Sequence, residues 1–136
     1  MTGVQTCALP IFTVSVSDPA GNIAVTNFLL TVTFVNHAPA TVADTVTRKP
    51  GQAITIARTF PARNDTDLDG QTLTVSAVAA TSKNGVGITL NTTNIIYAAS
   101  ASTNADQFTY TVSDGSLTAT GTNYVNVSTN GVLTVP

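Results

Sequence analysis

Three of the chain's seven acidic residues, all aspartates, stand at alternate positions in the string Asn64-Asp65-Thr66-Asp67-Leu68-Asp69-Gly70. Two carboxylates ~5 Å apart repel by roughly 3 kcal/mol at an effective dielectric of about 20. A chain in which only 9 % of residues are charged has no need of such crowding. The crowding therefore asks for a cation, and a dense set of oxygens suits a hard one, Ca²⁺ before Mg²⁺. Arg58 and Arg63 flank the string, and ion pairs from them would compete with a metal. An Asp/Asn/Gly turn that holds no ion is the alternative reading of the same residues.

The order Asp-x-Asp-x-Asp-Gly also opens an EF-hand loop, which needs a bidentate Glu at its twelfth position. Ser76 stands there, and Leu73-Thr74-Val75-Ser76 alternates as a strand and not as a helix. The EF-hand is rejected and the loop kept.

The elements around this loop are β. The 136 residues include 26 Thr, and neither Glu nor Trp occurs. Thr and Val, stiff at χ1, fit a pleated and half-buried surface. A net charge of −2 gives no case for binding nucleic acid or an anionic membrane. No apolar run approaches the ~20 residues of a membrane-inserted span. The one cysteine, Cys7, lies in Met1–Ile11, a segment that resembles the in-frame translation of a short-read sequencing adapter over all eleven residues. That segment is set aside as an artefact, and with it any disulfide framework.

Phe12-Thr13-Val14-Ser15-Val16-Ser17-Asp18 matches Phe108-Thr109-Tyr110-Thr111-Val112-Ser113-Asp114 at an offset of 96 residues, a whole-module period. Residues 12–35 then read as the C-terminal hairpin of a preceding repeat, its second strand running from Ile23 to Phe34. Residues 36–39 are a linker, 40–128 one complete module, and 129–136 a linker or the start of the next repeat. Seven strands are expected in the module, at 41–47, 52–57, 71–77, 85–90, 94–98, 107–113 and 117–127. Short alternating strands at this spacing argue a seven-stranded Greek-key β-sandwich. Its core would hold Ile54, Ile56, Leu73, Val75, Val86, Ile88, Leu90, Ile95, Tyr97, Phe108, Tyr110, Val112, Leu117, Val125 and Val127. Asn123 falls in the inward phase, which requires a bulge or an edge position.

Alternating strand directions gather Asp65, Asp67, Asp69, Asp114 and Asp44 at the pole where the preceding repeat joins. Asp106 goes to the far pole.

Asn36-His37-Ala38-Pro39, Asn64 to Val75, and Phe108-Thr109-Tyr110-Thr111-Val112-Ser113-Asp114-Gly115 resemble the cadherin-like, Ig-like tandem repeats of large bacterial surface adhesins. The resemblance covers residues 36–128. It implies a calcium-binding structural repeat that stiffens and extends an extracellular array, with Asp65 and Asp67 as the leading ligands and Asn36 contributing from the linker. His37 departs from the family, which commonly has an acid there, and a neutral imidazole is a poor calcium ligand. The implied partners are neighbouring repeats of the same chain and a host or matrix surface ligand, at the cell surface.

No enzyme activity is expected. His37, the only histidine, has no nucleophile or orienting acid near it in sequence and reads as an exposed linker residue. Tyr124 alone of the tyrosines has the outward phase. The alternative function is an accessory spacer or glycan-binding module of a secreted multidomain hydrolase.

Overall fold

The computed structural model describes residues 11–30 and 32–129. The adapter-like residues 1–10 and the final residues 130–136 lie outside that description. The chain divides into two compact units at Val35/Asn36.

The first unit is an antiparallel hairpin of β1 (Ile11–Ser17) and β2 (Ile23–Leu29), in register from Ile11↔Leu29 to Ser17↔Ile23. Asp18 makes the turn, its Oδ1 accepting the backbone N–H groups of Ala20 and Asn22 at 2.9 and 2.8 Å. β2 ends at Leu29, short of the expected Phe34. Phe12, Val14, Val16 and Phe28 are all exposed in this unit.

The second unit contains all seven expected strands. They are β3 (Asp44–Arg48), β4 (Ile54–Ala57), β5 (Thr74–Val78), β6 (Ile88–Leu90), β7 (Asn94–Tyr97), β8 (Asp106–Ser113) and β9 (Thr118–Val127). One sheet runs β3-β9-β8-β5 and the other β4-β7-β6. β3 lies parallel to β9, whereas the other pairs of the module are antiparallel. Side chains alternate as the period-2 pattern requires: along β8, Asp106, Phe108, Tyr110 and Val112 are buried. Both sheets supply the core, with Val46, Val75, Phe108, Tyr110, Val112 and Val125 from one and Ile54, Ile56, Ile88, Ile95 and Tyr97 from the other. No helix among the described residues is long and apolar enough to cross a membrane.

The core departs from expectation at several positions. Val46 and Phe60 are buried, although neither was expected. Leu117 is 41 % exposed because it sits in the β8–β9 turn, before the ladder begins at Thr118. Asn123 is fully buried in the middle of β9, which is paired on both sides without a bulge. Neither the amide nitrogen nor the oxygen of its side chain has a partner. The inward phase was correct; the expected bulge or edge position is absent.

Candidate functional site: the acidic pole of the sandwich

The strand directions put the segments before β3, between β4 and β5, and between β8 and β9 at one pole. Asp65, Asp67, Asp69 and Asp114 lie in those segments, and Asp44 opens β3. Asp106, at the start of β8, is at the opposite pole. A 3₁₀ turn at Pro61–Arg63 breaks the extended path after β4, so the three loop aspartates do not keep strand phase.

Asp65 turns inward. Its Oδ1 accepts the Val42 N–H at 2.8 Å, and the Tyr110 hydroxyl lies 3.1 Å from both of its oxygens. Backbone bonds between Ala40 and Thr66 in both directions tie the linker to the same loop.

Asp67 folds back on its own turn. Its Oδ1 accepts Asp69 N–H at 2.8 Å and Gln71 N–H at 3.3 Å, while Gly70 takes φ +71° to close the turn.

Asp69 is engaged by His37, whose backbone N–H donates to Oδ2 at 2.7 Å and whose Nδ1 lies 3.2 Å from Oδ1. The His37 backbone donor holds the Asp69 carboxyl below the usual carboxylate range.

Asp114 accepts Ser116 N–H and Leu117 N–H, at 2.6 and 2.7 Å, on Oδ1. Asn36 Nδ2 donates to its Oδ2 at 2.8 Å. Desolvation opposes ionisation there, yet these donors hold the carboxyl low.

Asp44 is the exception. Burial pushes its carboxyl up to about 6, Tyr110 and Asn64 oppose that rise, and the nearby Asp65 charge adds to it. Its Oδ2 is buried with no hydrogen-bond partner.

The common pole therefore exists, but the carboxylates point in different directions. Among the described residues no three acidic, histidine or cysteine side chains form a group able to hold a metal ion. Besides Asp44 Oδ2, the buried oxygens with nothing to accept at this pole are Asp67 Oδ2, Gln71 Oε1 and Asn36 Oδ1. Neither arginine pairs with the loop acids: Arg58 Nε donates to the Val75 carbonyl at 2.8 Å, and it is His37 that contacts Asp69.

Gln71 and Tyr110 were not among the expected site residues. Gln71 follows the acidic string directly, so its oxygen was within reach of the same argument. The role of Tyr110 was hidden, because an inward tyrosine looks like core until its hydroxyl is seen on Asp65.

Two facing sheets, a parallel first strand and loops braced at both poles define an Ig-like β-sandwich module. Residues 36–128 match the family model of the bacterial Ig domain, and the chain belongs to that family. No curated protein matches the sequence.

Among solved structures the chain resembles part of MfFcnA4, an endo-fucoidan hydrolase of glycoside hydrolase family 107. The TM-score is 0.48 at 16 % identity, covering 92 % of this chain and 19 % of that one. It also resembles part of a second such hydrolase, MfFcnA9, with TM-score 0.42 at 15 % identity, covering 88 % of this chain and 22 % of that one. The chain thus spans about a fifth of the length of these structures.

Proposed function

We propose that residues 36–128 serve as a non-catalytic spacer in a larger secreted bacterial protein, holding the neighbouring module at a set angle. The use made of the acids supports this reading. Asp65, Asp67, Asp69 and Asp114 each accept backbone N–H groups of loops at the N-terminal pole. Asp106 does the same for Asn84 and Gln107 at the other end. Carboxylates spent on backbone donors stiffen loops, and they are poorly placed to act as bases.

The β1–β2 hairpin is assigned to a preceding module of the same kind. Its exposed Phe12, Val14 and Val16 occupy the positions of Phe108, Tyr110 and Val112, which are buried in the complete module. A lone hairpin with such a face is marginal in water.

A calcium ion at the acidic pole of this module belongs to the same proposal. The residues that would hold it are Asp67, Gln71 and Asn36, through their unpartnered oxygens, with Asp69 and Asp114 hydrogen-bonded to that set. One carboxylate and two amides are oxygen donors suited to Ca²⁺, and so few charges suit a weak, extracellular-type site of ~10⁻⁴–10⁻³ M. The ion would supply positive charge where the aspartates crowd.

The test is a protein of two complete modules, followed by calorimetry and small-angle scattering with calcium and with EDTA. The spacer reading expects an extended shape in both conditions, and a compact or freely hinged particle in calcium overturns it. The calcium reading expects a higher melting temperature with the ion, and an unchanged one overturns that reading alone.

A further inference from the structure

The pole opposite the acidic loop contains a buried cation with no acid paired to it. Arg48 ends β3 in the inward phase set by Asp44 and Val46, and it is only 1 % exposed. Its Nη1 donates to the Ser100 carbonyl at 2.7 Å, with the Lys49 carbonyl further off at 3.4 Å. Its Nη2 donates to the Ser102 carbonyl at 2.8 Å, and the guanidinium carbon stands 5.7 Å from the Tyr97 ring centre. Nε is buried and has no acceptor.

Neutral dipoles alone therefore answer this charge. Asp106 lines the same cavity but is committed elsewhere, accepting from Ser82 Oγ, Tyr97 Oη, Asn84 N–H and Gln107 N–H. No ion pair links it to Arg48. A desolvated guanidinium with an unmet N–H is costly unless an anion completes it.

Arg48 forms part of the wall of a cavity of about 320 Å³, with Asn84, Val86, Tyr97, Ser100, Ser102, Asn104 and Asp106. The volume falls within the range of small-molecule sites, and the rim is mostly amide and hydroxyl. Lys49 and Lys83 lie at the same pole, which makes three cations against the single Asp106. Amides and hydroxyls match the hydroxyls of a saccharide, and a guanidinium matches a planar carboxylate or a sulfate. An acidic peptide fits less well, because peptides dock along sheet edges or open grooves and not in a loop-bounded cavity.

We propose that this cavity binds an acidic sugar unit, one carrying a carboxylate or a sulfate ester, with Arg48 in the cavity wall as the cation that answers the anion. The site is separate from the acidic pole and does not depend on calcium there.

The experiment follows the Arg48 Nε–Hε resonance of the 136-residue chain by NMR during titration with polygalacturonate, sulfated dextran, neutral dextran and polyaspartate. The expected result is a saturable shift with polygalacturonate, sulfated dextran or both, and none with neutral dextran. Whichever acidic polymer shifts it identifies the anion. Arg48→Gln is expected to weaken binding about tenfold or more. Should that variant fail to fold, Asn104→Asp provides a second test: an exposed rim position gains a negative charge and binding falls about fivefold.

Acidic polymers that bind without moving Nε, and without sensitivity to Asn104→Asp, would be held by Lys49 and Lys83, and the proposal falls. It also falls if neutral dextran binds equally or nothing binds. If polyaspartate alone moves the resonance, the cavity takes an acidic protein segment and the sugar assignment is overturned.

Discussion

Tyr110 of β8 and Gly121 of β9 face one another across the sheet, and a Cβ built on Gly121 would lie 2.3 Å from Tyr110 Cζ. The ring covers the glycine, and so its hydroxyl reaches Asp65 at the pole. Gly121→Ala must displace either the ring or the strand. It is expected to cost about 1–3 kcal/mol in urea unfolding. Gly87→Ala, where a Cβ meets nothing within 4 Å, is the control and is expected to change stability by less than about 0.5 kcal/mol.

Asp44 predicts an unusual pH dependence. Its folded carboxyl titrates at about 6, above the ordinary 3.8, because burial and Asp65 disfavour its charge. The neutral form is the one the fold accepts, so its contribution is complete below about 3.8 and declines as pH rises through about 6. The loss amounts to roughly 2–3 kcal/mol by neutral pH. Asp69, Asp106 and Asp114 act in the opposite sense, with folded values below 3.8, and they destabilise only as pH falls below the ordinary range. Thermal unfolding should therefore give a maximum near pH 4. In Asp44→Asn the decline between about pH 4 and 6 should disappear, and its persistence would show that another group causes it.

Much of this architecture was legible. Period-2 alternation located all seven strands and, Leu117 excepted, the inward set from Ile54 to Val125, because one face of each strand is dry and register follows from that. The same alternation reaches Arg48 from Asp44 and Val46, so the buried cation could have been read from phase. The loop was another matter. Asp65, Asp67 and Asp69 look equivalent in sequence, but a 3₁₀ turn and the backbone donors of Val42, Asp69 and His37 send each one a different way. Their directions depend on which N–H groups the fold brings near, and spacing does not encode that.

Asn123 tests how the core tolerates an unmatched amide. Its nitrogen and oxygen are buried without partners, each costing about 1–3 kcal/mol if left so. Leu has nearly the same shape and nothing to satisfy. Asn123→Leu is expected to raise stability by about 1–2 kcal/mol in chemical denaturation. A loss of stability would mean that the amide is answered in solution, by a water or by Asp44, its neighbour across the β3–β9 ladder.

Asp106 is the fastening of the opposite pole, and it should be the most costly acid to remove. Four donors converge on it: Ser82 Oγ, Tyr97 Oη, Asn84 N–H and Gln107 N–H. They join the segment before β6, the end of β7 and the start of β8, and burial would raise its pKa were these bonds not stronger. Asp106→Ala leaves the Tyr97 hydroxyl and the Ser82 hydroxyl without their acceptor at a buried position. Hydrogen bonds to a charged group are worth about 1.5–3 kcal/mol each but are not additive, so the expected loss is roughly 3–5 kcal/mol. Asp106→Asn keeps an acceptor but loses the charge and should cost less, about 2 kcal/mol. Equal losses from the two variants in urea unfolding would show that shape, and not charge, is what this position provides.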